Sequence, residues 1–139
     1  MMKDDCIFCK IVKGEIPSYT VYEDEYFKAI LDIEPSSDGH TLIIPKHHSD
    51  NLYSLDDVSA SRIVPVSKII ATKLKDILKC DGINIVQNNE AAAGQTVSHY
   101  HMHIIPRYEN DEVKIGWKQS PIDKNAAETI VNSFAAERI

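Results

Sequence analysis

The stretch His99-Tyr100-His101-Met102-His103-Ile104-Ile105 places three imidazoles at every second position, directly ahead of an apolar pair. Side chains of an extended strand alternate between its two faces, so the three rings share one side and the residues between them point to the other. Histidine ordinarily titrates near neutral pH, which suits acid, base, nucleophile and metal-ligand roles. The other three of the six histidines stand at positions 40, 47 and 48. The six histidines thus lie in two short segments, 40–48 and 99–103, and this clustering predicts a functional site.

Length and charge exclude several classes of protein. The 139 residues suffice for one domain with its own hydrophobic core. A net charge of −6 argues against binding to a nucleic-acid backbone, which normally requires a basic patch. No apolar run approaches the roughly 18 residues of a membrane span, and residues 1–5 lack the apolar region of a signal peptide. Three cysteines fit a reducing compartment. We expect a cytoplasmic protein without nucleic-acid or membrane partners.

The pattern of apolar and turn residues predicts an α+β fold, an antiparallel sheet with one long helix packed on it. Gly14 should end a short first helix. The Ser54-Leu55-Asp56-Asp57 signal should start the long helix, in which Pro65 either introduces a kink or marks the first turn. The predicted helices cover residues 7–13, 54–78 and 125–136, and the predicted strands cover residues 19–22, 26–31, 40–44, 83–86 and 99–105.

Three interpretations compete for the histidine stretch. The rings are a solvated polar face of a strand, the ligands of a zinc ion, or a nucleophile at phosphorus with neighbours that orient it and shuttle protons. The segment 88–97, directly upstream, contains amide and hydroxyl side chains and a glycine. Backbone N–H groups and amides around such a loop can hold an anionic phosphate. The combination favours phosphate chemistry.

Asn88, Gly94-Gln95-Thr96-Val97 and the histidine stretch together resemble the histidine-triad (HIT) superfamily, whose motif is His-φ-His-φ-His-φ-φ. The resemblance is closest to small bacterial Hint-like proteins, with the diadenosine-polyphosphate hydrolase branch nearby. It covers about residues 6–107 of one domain spanning 1–139, with a tail and helix over 108–139. It implies a five-stranded antiparallel meander with a long helix and a short N-terminal helix, assembled as a two-fold homodimer. The resemblance continues through Phe8-Cys9-Lys10-Ile11, Glu15-Ile16-Pro17, Leu31-Asp32-Ile33 and Gly39-His40-Thr41-Leu42-Ile43-Ile44-Pro45.

The resemblance implies roles for three histidines. His101 matches the nucleophile, which attacks the α-phosphorus of a nucleotide and forms a nucleotidyl-histidine that water then hydrolyses. His103 matches the residue that hydrogen-bonds the phosphoryl oxygens and the leaving-group side, and His40 matches a further active-site histidine. In the uridylyltransferase branch the position of His103 is glutamine, so hydrolysis is expected here rather than transfer.

The expected activity is hydrolysis of purine nucleoside phosphoramidates or related nucleotidyl conjugates, with no metal needed for the chemical step. One alternative is a dinucleoside polyphosphate hydrolase that uses the same residues. Another is a nucleotide-binding regulatory module with little turnover.

The resemblance also implies how a purine nucleotide such as AMP is bound. Asp32 matches the carboxylate that binds the ribose, and an ionised acid accepts hydrogen bonds from both hydroxyls. Residue type alone allows Ile11 and Ile33 to be plain core instead. Trp117 loosely matches an aromatic residue of the leaving-group pocket, with ordinary packing as the alternative. Asn88, Gln95, Thr96 and Val97 match phosphate contacts, and Phe8, Ile11 and Ile33 match the apolar slot for the base.

Cys6 and Cys9 have the spacing of a zinc knuckle, which is a weak signal alone. The resemblance to bacterial members implies that His48 and His99 complete a structural Cys₂His₂ zinc site. The alternatives are a reduced, metal-free pair packed as small hydrophobic residues or a redox pair. In the zinc interpretation His99 is diverted from the catalytic face and His47 lies at the surface.

Overall fold

Three α-helices and five β-strands form within residues 3–137, which the structure, a computed structural model, describes. The ends of the predicted domain 1–139 lie outside this range. Single 3-10 turns at Leu52–Ser54 and Ala91–Ala93 lie in the connections. The elements in chain order are α1 (Ile7–Lys13), β1 (Thr20–Glu23), β2 (Phe27–Leu31), β3 (Thr41–Pro45), α2 (Asp57–Leu78), β4 (Gly82–Gln87), β5 (Met102–Arg107) and α3 (Lys124–Glu137).

The ends of the helices follow local capping chemistry. Helix α1 has the predicted bounds, and Gly14 ends it in the left-handed region with a φ of 83°. Helix α2 begins later than predicted, because the Asp56 carboxylate, rather than Ser54, accepts from the first-turn amide of Ser59 at 2.9 Å. Pro65 lies inside α2, which continues past it to Leu78. Packing against the sheet thus outweighs the one backbone hydrogen bond that proline removes.

The sheet has five antiparallel-paired strands in the order β1-β2-β3-β5-β4. The prediction of a simple meander is therefore wrong in one respect. The long helix α2 connects β3 to β4, and β5 then returns between them. This connection makes β5 an interior strand, paired on both sides.

The histidine strand begins later than predicted. Strand β5 pairs with β3 from Met102, opposite Ile43, onward. Before this point the Tyr100 amide donates to the Ser49 carbonyl oxygen at 2.7 Å, outside the sheet ladder. Two of the three triad histidines therefore precede the strand, and only His103 lies within it.

The alternation of side chains across the sheet holds nonetheless. Tyr100, Met102 and Ile104 are buried with α2 on one face. The other face carries α1, and Phe8, Cys9 and Ile11 of this helix pack there together with Cys6 directly before it. The first core comprises Phe27, Ala29, Ile43, Ile63, Val66, Ile70, Tyr100, Met102 and Ile104, and the second comprises Cys6, Phe8, Cys9, Ile11, Ile30, Leu42 and Ile44.

The C-terminal part contributes little to either core. Within the described residues, helix α3 has no buried residue, and its Ile130, Val131 and Phe134 are exposed. Trp117 is 83% exposed, so in this single chain it does not pack as an ordinary core aromatic. Across residues 3–137, no helix combines the length and the apolar character that crossing a bilayer requires.

Candidate active site and metal cluster

A cavity of about 260 Å³ opens on the α1 face of the sheet, where the imidazoles of His101 and His103 meet α1 and the loop before β5. Sequence reasoning found eight of its lining residues and missed the apolar surroundings, which belong to several separate segments. The predicted lining residues are Phe8, Ile11, Asp32, Ile33, Thr96, Val97, His101 and His103, and the others are Ile7, Ile16, Pro17, Ser18, Ile30, Leu31 and Leu42.

The side chain of His101 is oriented by the backbone of its own segment. Its Nδ1 lies 2.7 Å from the carbonyl oxygen of His99. A carbonyl oxygen only accepts, so Nδ1 carries the proton and a neutral ring keeps the lone pair on Nε2. The edge-on ring of Phe8, with its centroid 5.0 Å away, fixes the imidazole from the α1 side. Burial lowers the pKa of His101, which favours this neutral, nucleophilic form.

His40 is buried behind the cavity, in contact with His103. The backbone amide of Ser36 donates to His40 Nδ1 at 3.0 Å, so the proton of a neutral His40 ring lies on Nε2. That Nε2 is 2.9 Å from His103 Nδ1, to which it donates. His103 consequently accepts at Nδ1 and carries its own proton on Nε2. Asp32 Oδ2 lies 3.7 Å from the same His40 nitrogen.

Burial keeps this pair of imidazoles neutral near pH 7. It lowers the pKa of His40. Burial, followed by the neighbouring His101 and His40 rings, lowers the pKa of His103 to about 4. Each neutral ring retains one donor and one acceptor, which a charged ring does not. The arrangement thus presents a lone pair at His101 and an N–H donor at His103 beside one cavity.

The loop before β5 is braced by Gln95. Its amide nitrogen donates to the carbonyl oxygens of Asp50 at 2.6 Å and Val97 at 2.9 Å. Its amide oxygen accepts from the backbone N–H of Glu90 at 2.7 Å. Asn88 donates to the Gly94 carbonyl oxygen at 3.5 Å. Neither Asn88 nor Gln95 belongs to the cavity lining, in contrast to Thr96 and Val97.

The four predicted metal ligands converge beneath α1. The Sγ atoms of Cys6 and Cys9 lie 3.3 and 3.6 Å from His99 Nδ1, and Cys9 Sγ lies 3.3 Å from His48 Nδ1. All four donor atoms are within 4.8 Å of one another. A tetrahedral zinc with its ordinary bond lengths separates sulfur and nitrogen ligands by about 3.5 Å. The cluster therefore fits a Cys₂His₂ zinc ion.

The surroundings of the cluster also suit a metal. His99 Nε2 donates to the Pro45 carbonyl oxygen and His48 Nε2 donates to Asp50 Oδ1, both at 2.8 Å. These contacts leave each Nδ1 lone pair directed at the sulfurs, as ligating imidazoles require. Burial lowers the pKa of His99 to about 4, which keeps its Nδ1 unprotonated for a metal. Burial also raises the pKa of the Cys9 thiol, which opposes the thiolate form that zinc binds and which a bound cation would offset. His47 is exposed and outside the cluster, as expected.

Comparison with known proteins places these features in one family. The HIT domain profile matches residues 13–110. The adenosine 5'-monophosphoramidase HNT1 of Saccharomyces cerevisiae is 42% identical over 119 residues, which cover 85% of this chain and 73% of the yeast protein.

Solved structures agree with this assignment. A HIT family member from Bacillus subtilis superposes with a TM-score of 0.89 at 42% identity, covering 98% of both chains. A Zn-bound histidine triad family protein from Mycobacterium smegmatis superposes with a TM-score of 0.75 at 36% identity, covering 95% of this chain and 94% of that one. Sequence, fold and the arrangement of the imidazoles agree, and this chain belongs to the HIT family of proteins.

Proposed function

We propose that this protein hydrolyses purine nucleoside phosphoramidates or related nucleotidyl conjugates through a covalent nucleotidyl-histidine at His101. The observation that carries the proposal is the Nδ1–H bond from His101 to the His99 carbonyl oxygen, which leaves a nucleophilic Nε2 beside the cavity. A yeast relative at 42% identity is named an adenosine 5'-monophosphoramidase, which supports the substrate class.

The first step forms a bond between His101 Nε2 and the α-phosphorus while the bond from phosphorus to the leaving amine breaks. The amine leaves with the electron pair and takes up a proton from solvent. The ring becomes a positively charged nucleotidyl-imidazolium whose Nδ1–H still donates to the His99 carbonyl oxygen. In the second step water attacks phosphorus and gives up a proton to solvent, and His101 leaves with its lone pair restored. No metal takes part in either step.

The N–H of His103 assists this chemistry. Because His40 donates to Nδ1 of His103, the Nε2–H of His103 is a donor for a phosphoryl oxygen or for the departing group. A donor placed where charge develops stabilises the transition state more than the ground state. His40 acts through His103 and does not line the cavity, so it is a positioning residue.

The remaining lining residues bind the nucleotide. The half-buried Asp32 carboxylate is held by the Glu34 amide at 2.9 Å and accepts from the ribose hydroxyls. Phe8, Ile11 and the 81% exposed Ile33 enclose the base. Thr96 and Val97 contact the phosphate. Gln95 and Asn88 act on the phosphate by holding this loop in shape.

Hydrolysis of an adenosine phosphoramidate and of a diadenosine polyphosphate, measured side by side, tests the proposal. We expect the phosphoramidate to be the better substrate and His101→Ala to lower kcat/KM by about 10³-fold or more, as loss of a nucleophile does. His47→Ala is the matched control, because it removes an exposed histidine outside the cavity. Mass spectrometry of the wild type should detect an AMP adduct that is lost in His101→Ala.

Three results would change the assignment. Full activity in His101→Ala would contradict the nucleophile. Preferred cleavage of the diadenosine polyphosphate would indicate the second hydrolase class instead. Binding of AMP without cleavage of either compound would support a nucleotide-binding module.

We also propose a structural zinc ion at Cys6, Cys9, His48 and His99. The spacing of the donor atoms supports it, and the three free cysteines of the described chain agree with a reducing cytoplasm. Protein purified without chelators should contain about one zinc per chain, and Cys6→Ser should contain much less. Cys80→Ser is the control, since Cys80 is an equally buried thiol away from the cluster. Metal-free wild type would contradict the site.

A further inference from the structure

Three contacts of His99 connect the metal cluster to the nucleophile. Its Nδ1 faces Cys6 and Cys9, and its Nε2 donates to the Pro45 carbonyl oxygen. Its own carbonyl oxygen accepts from His101 Nδ1 at 2.7 Å. The residue is fully buried, so a movement of its ring is transmitted to its backbone. The position of the His99 carbonyl in turn fixes the orientation of the His101 ring.

Asp50 makes a second, separate connection. Its carboxylate accepts from His48 Nε2 at 2.8 Å, on the metal side. Its carbonyl oxygen accepts from the Gln95 amide at 2.6 Å, on the side of the phosphate loop. The same Gln95 amide also holds Val97, which lines the cavity. One residue thus contacts both a metal ligand and the residue that braces the loop.

Helix α1 supplies a third connection. Phe8 lies between the two cysteines in sequence and lines the cavity. Its ring meets His99 and His101 edge-on, with centroids 5.8 and 5.0 Å away. A metal that fixes Cys6 and Cys9 therefore also fixes the aromatic side chain that covers the nucleophile.

We propose that metal binding at the Cys-His cluster and nucleotide binding in the cavity are energetically coupled, with His99 and Asp50 as the positioning residues. The inference rests on the proposed nucleotide-binding function. The metal orders the ring of His99, the 48–50 turn and α1, and the nucleotide requires the same three parts in place. Because coupling between two binding equilibria is reciprocal, the metal and the nucleotide must tighten each other's binding by the same factor.

Two binding measurements test the coupling without reference to activity. Calorimetry gives the Kd of AMP for the zinc-loaded protein and for the same protein after removal of zinc by a chelator. Chelator competition gives the zinc affinity with and without saturating AMP. We expect both affinities to change by one common factor of about five or more, the range usual for coupled sites. If metal-free protein unfolds, chelator competition includes the folding equilibrium, and AMP calorimetry on zinc-loaded Asp50→Ala, expected to bind AMP more weakly than zinc-loaded wild type, carries the test instead.

Substitution of Asp50 isolates one connection. Asp50→Ala removes the acceptor for His48 and should reduce the common factor. Asp50→Asn keeps an oxygen that accepts from the same N–H and should restore it. Asp4→Ala is the matched control, because it removes an exposed carboxylate that pairs with Lys13 at the surface. An unchanged factor in Asp50→Ala would overturn the role of Asp50.

The outcomes also separate this inference from the function on which it rests. Equal AMP affinity with and without zinc, together with zinc affinity that is insensitive to AMP, would overturn the coupling and leave the hydrolase proposal intact. Failure of AMP to bind the zinc-loaded wild type would overturn both.

Discussion

The location of one proton on each imidazole determines what the site can do at the scale of single residues. The carbonyl oxygens beside His99 and His101 can only accept, so they determine which ring nitrogen is protonated. The backbone amide beside His40 can only donate, so it places the His40 proton on Nε2, and that N–H in turn places the His103 proton. The period-two spacing identified His99, His101 and His103, and the family resemblance identified His40. The sequence could not identify their partners, which are largely main-chain atoms of Ser36, Pro45 and His99, and a backbone group has no signature in the sequence.

The assigned tautomer of His103 can be measured directly. Nitrogen NMR of labelled protein near pH 7 should show a protonated Nε2 and an unprotonated Nδ1. His40→Ala removes the donor to Nδ1, so the ring should populate both tautomers and kcat should fall about tenfold with little change in KM. An unchanged nitrogen spectrum of His103 in the His40→Ala variant would contradict the assigned hydrogen bond from His40 to His103.

Stability should fall in acid because His103 resists protonation when folded. Its pKa is about 4 in the folded chain, against an ordinary value of 6.5. Between these values the unfolded chain binds a proton that the folded chain does not, so unfolding becomes easier as the pH falls from 6.5 toward 4. The urea midpoint should therefore be lower at pH 5 than at pH 7.5. The difference between the urea midpoints at the two pH values should be smaller in His103→Gln than in the wild type. An equal difference in both proteins would contradict the lowered pKa of His103 as its cause.

At the scale of helices and strands, the sequence predicts the ends of an element where neighbouring residues determine them. Gly14 and the bounds of α1 are an example. Local sequence signals fail where long-range pairing decides. The order of β4 and β5 depends on how α2 crosses the sheet, and periodicity along the chain contains no information about neighbours in space.

Gly39, two residues before β3, has a backbone conformation that favours glycine, and its surroundings are crowded. Its φ is +90°, and an added Cβ would overlap Leu78 Cδ1 and lie 3.2 Å from Pro106 Cγ. Gly39→Ala should therefore destabilise the protein by about 1–3 kcal/mol in urea unfolding. Gly116→Ala is the control, since a Cβ there meets no atom within 4 Å. Equal midpoints for the two variants would contradict the explanation.

Apolar side chains are exposed on an edge of the sheet and on α3. Ile85 on the edge strand β4 is 50% exposed, and α3 exposes Ile130, Val131 and Phe134. We propose that two copies associate through such surfaces, as the family resemblance implies. Light scattering should give twice the mass of the chain. Replacement of Ile85 by Lys should shift the mass toward one chain, whereas Tyr19→Lys, on the opposite sheet edge, should not.

The separation of the two sheet faces has a consequence for how this protein can evolve. Codons 99, 101 and 103 specify residues of the proposed zinc and nucleotide sites, and codons 100, 102 and 104 specify the core beneath α2. Substitutions at the two sets of codons are thus selected almost independently, one for turnover and the other for folding. Loss or gain of a single codon inside this stretch moves the residues on one side of the change to the opposite face. A substitution within these six codons therefore affects either the proposed site or the core, whereas a change of length disturbs both together.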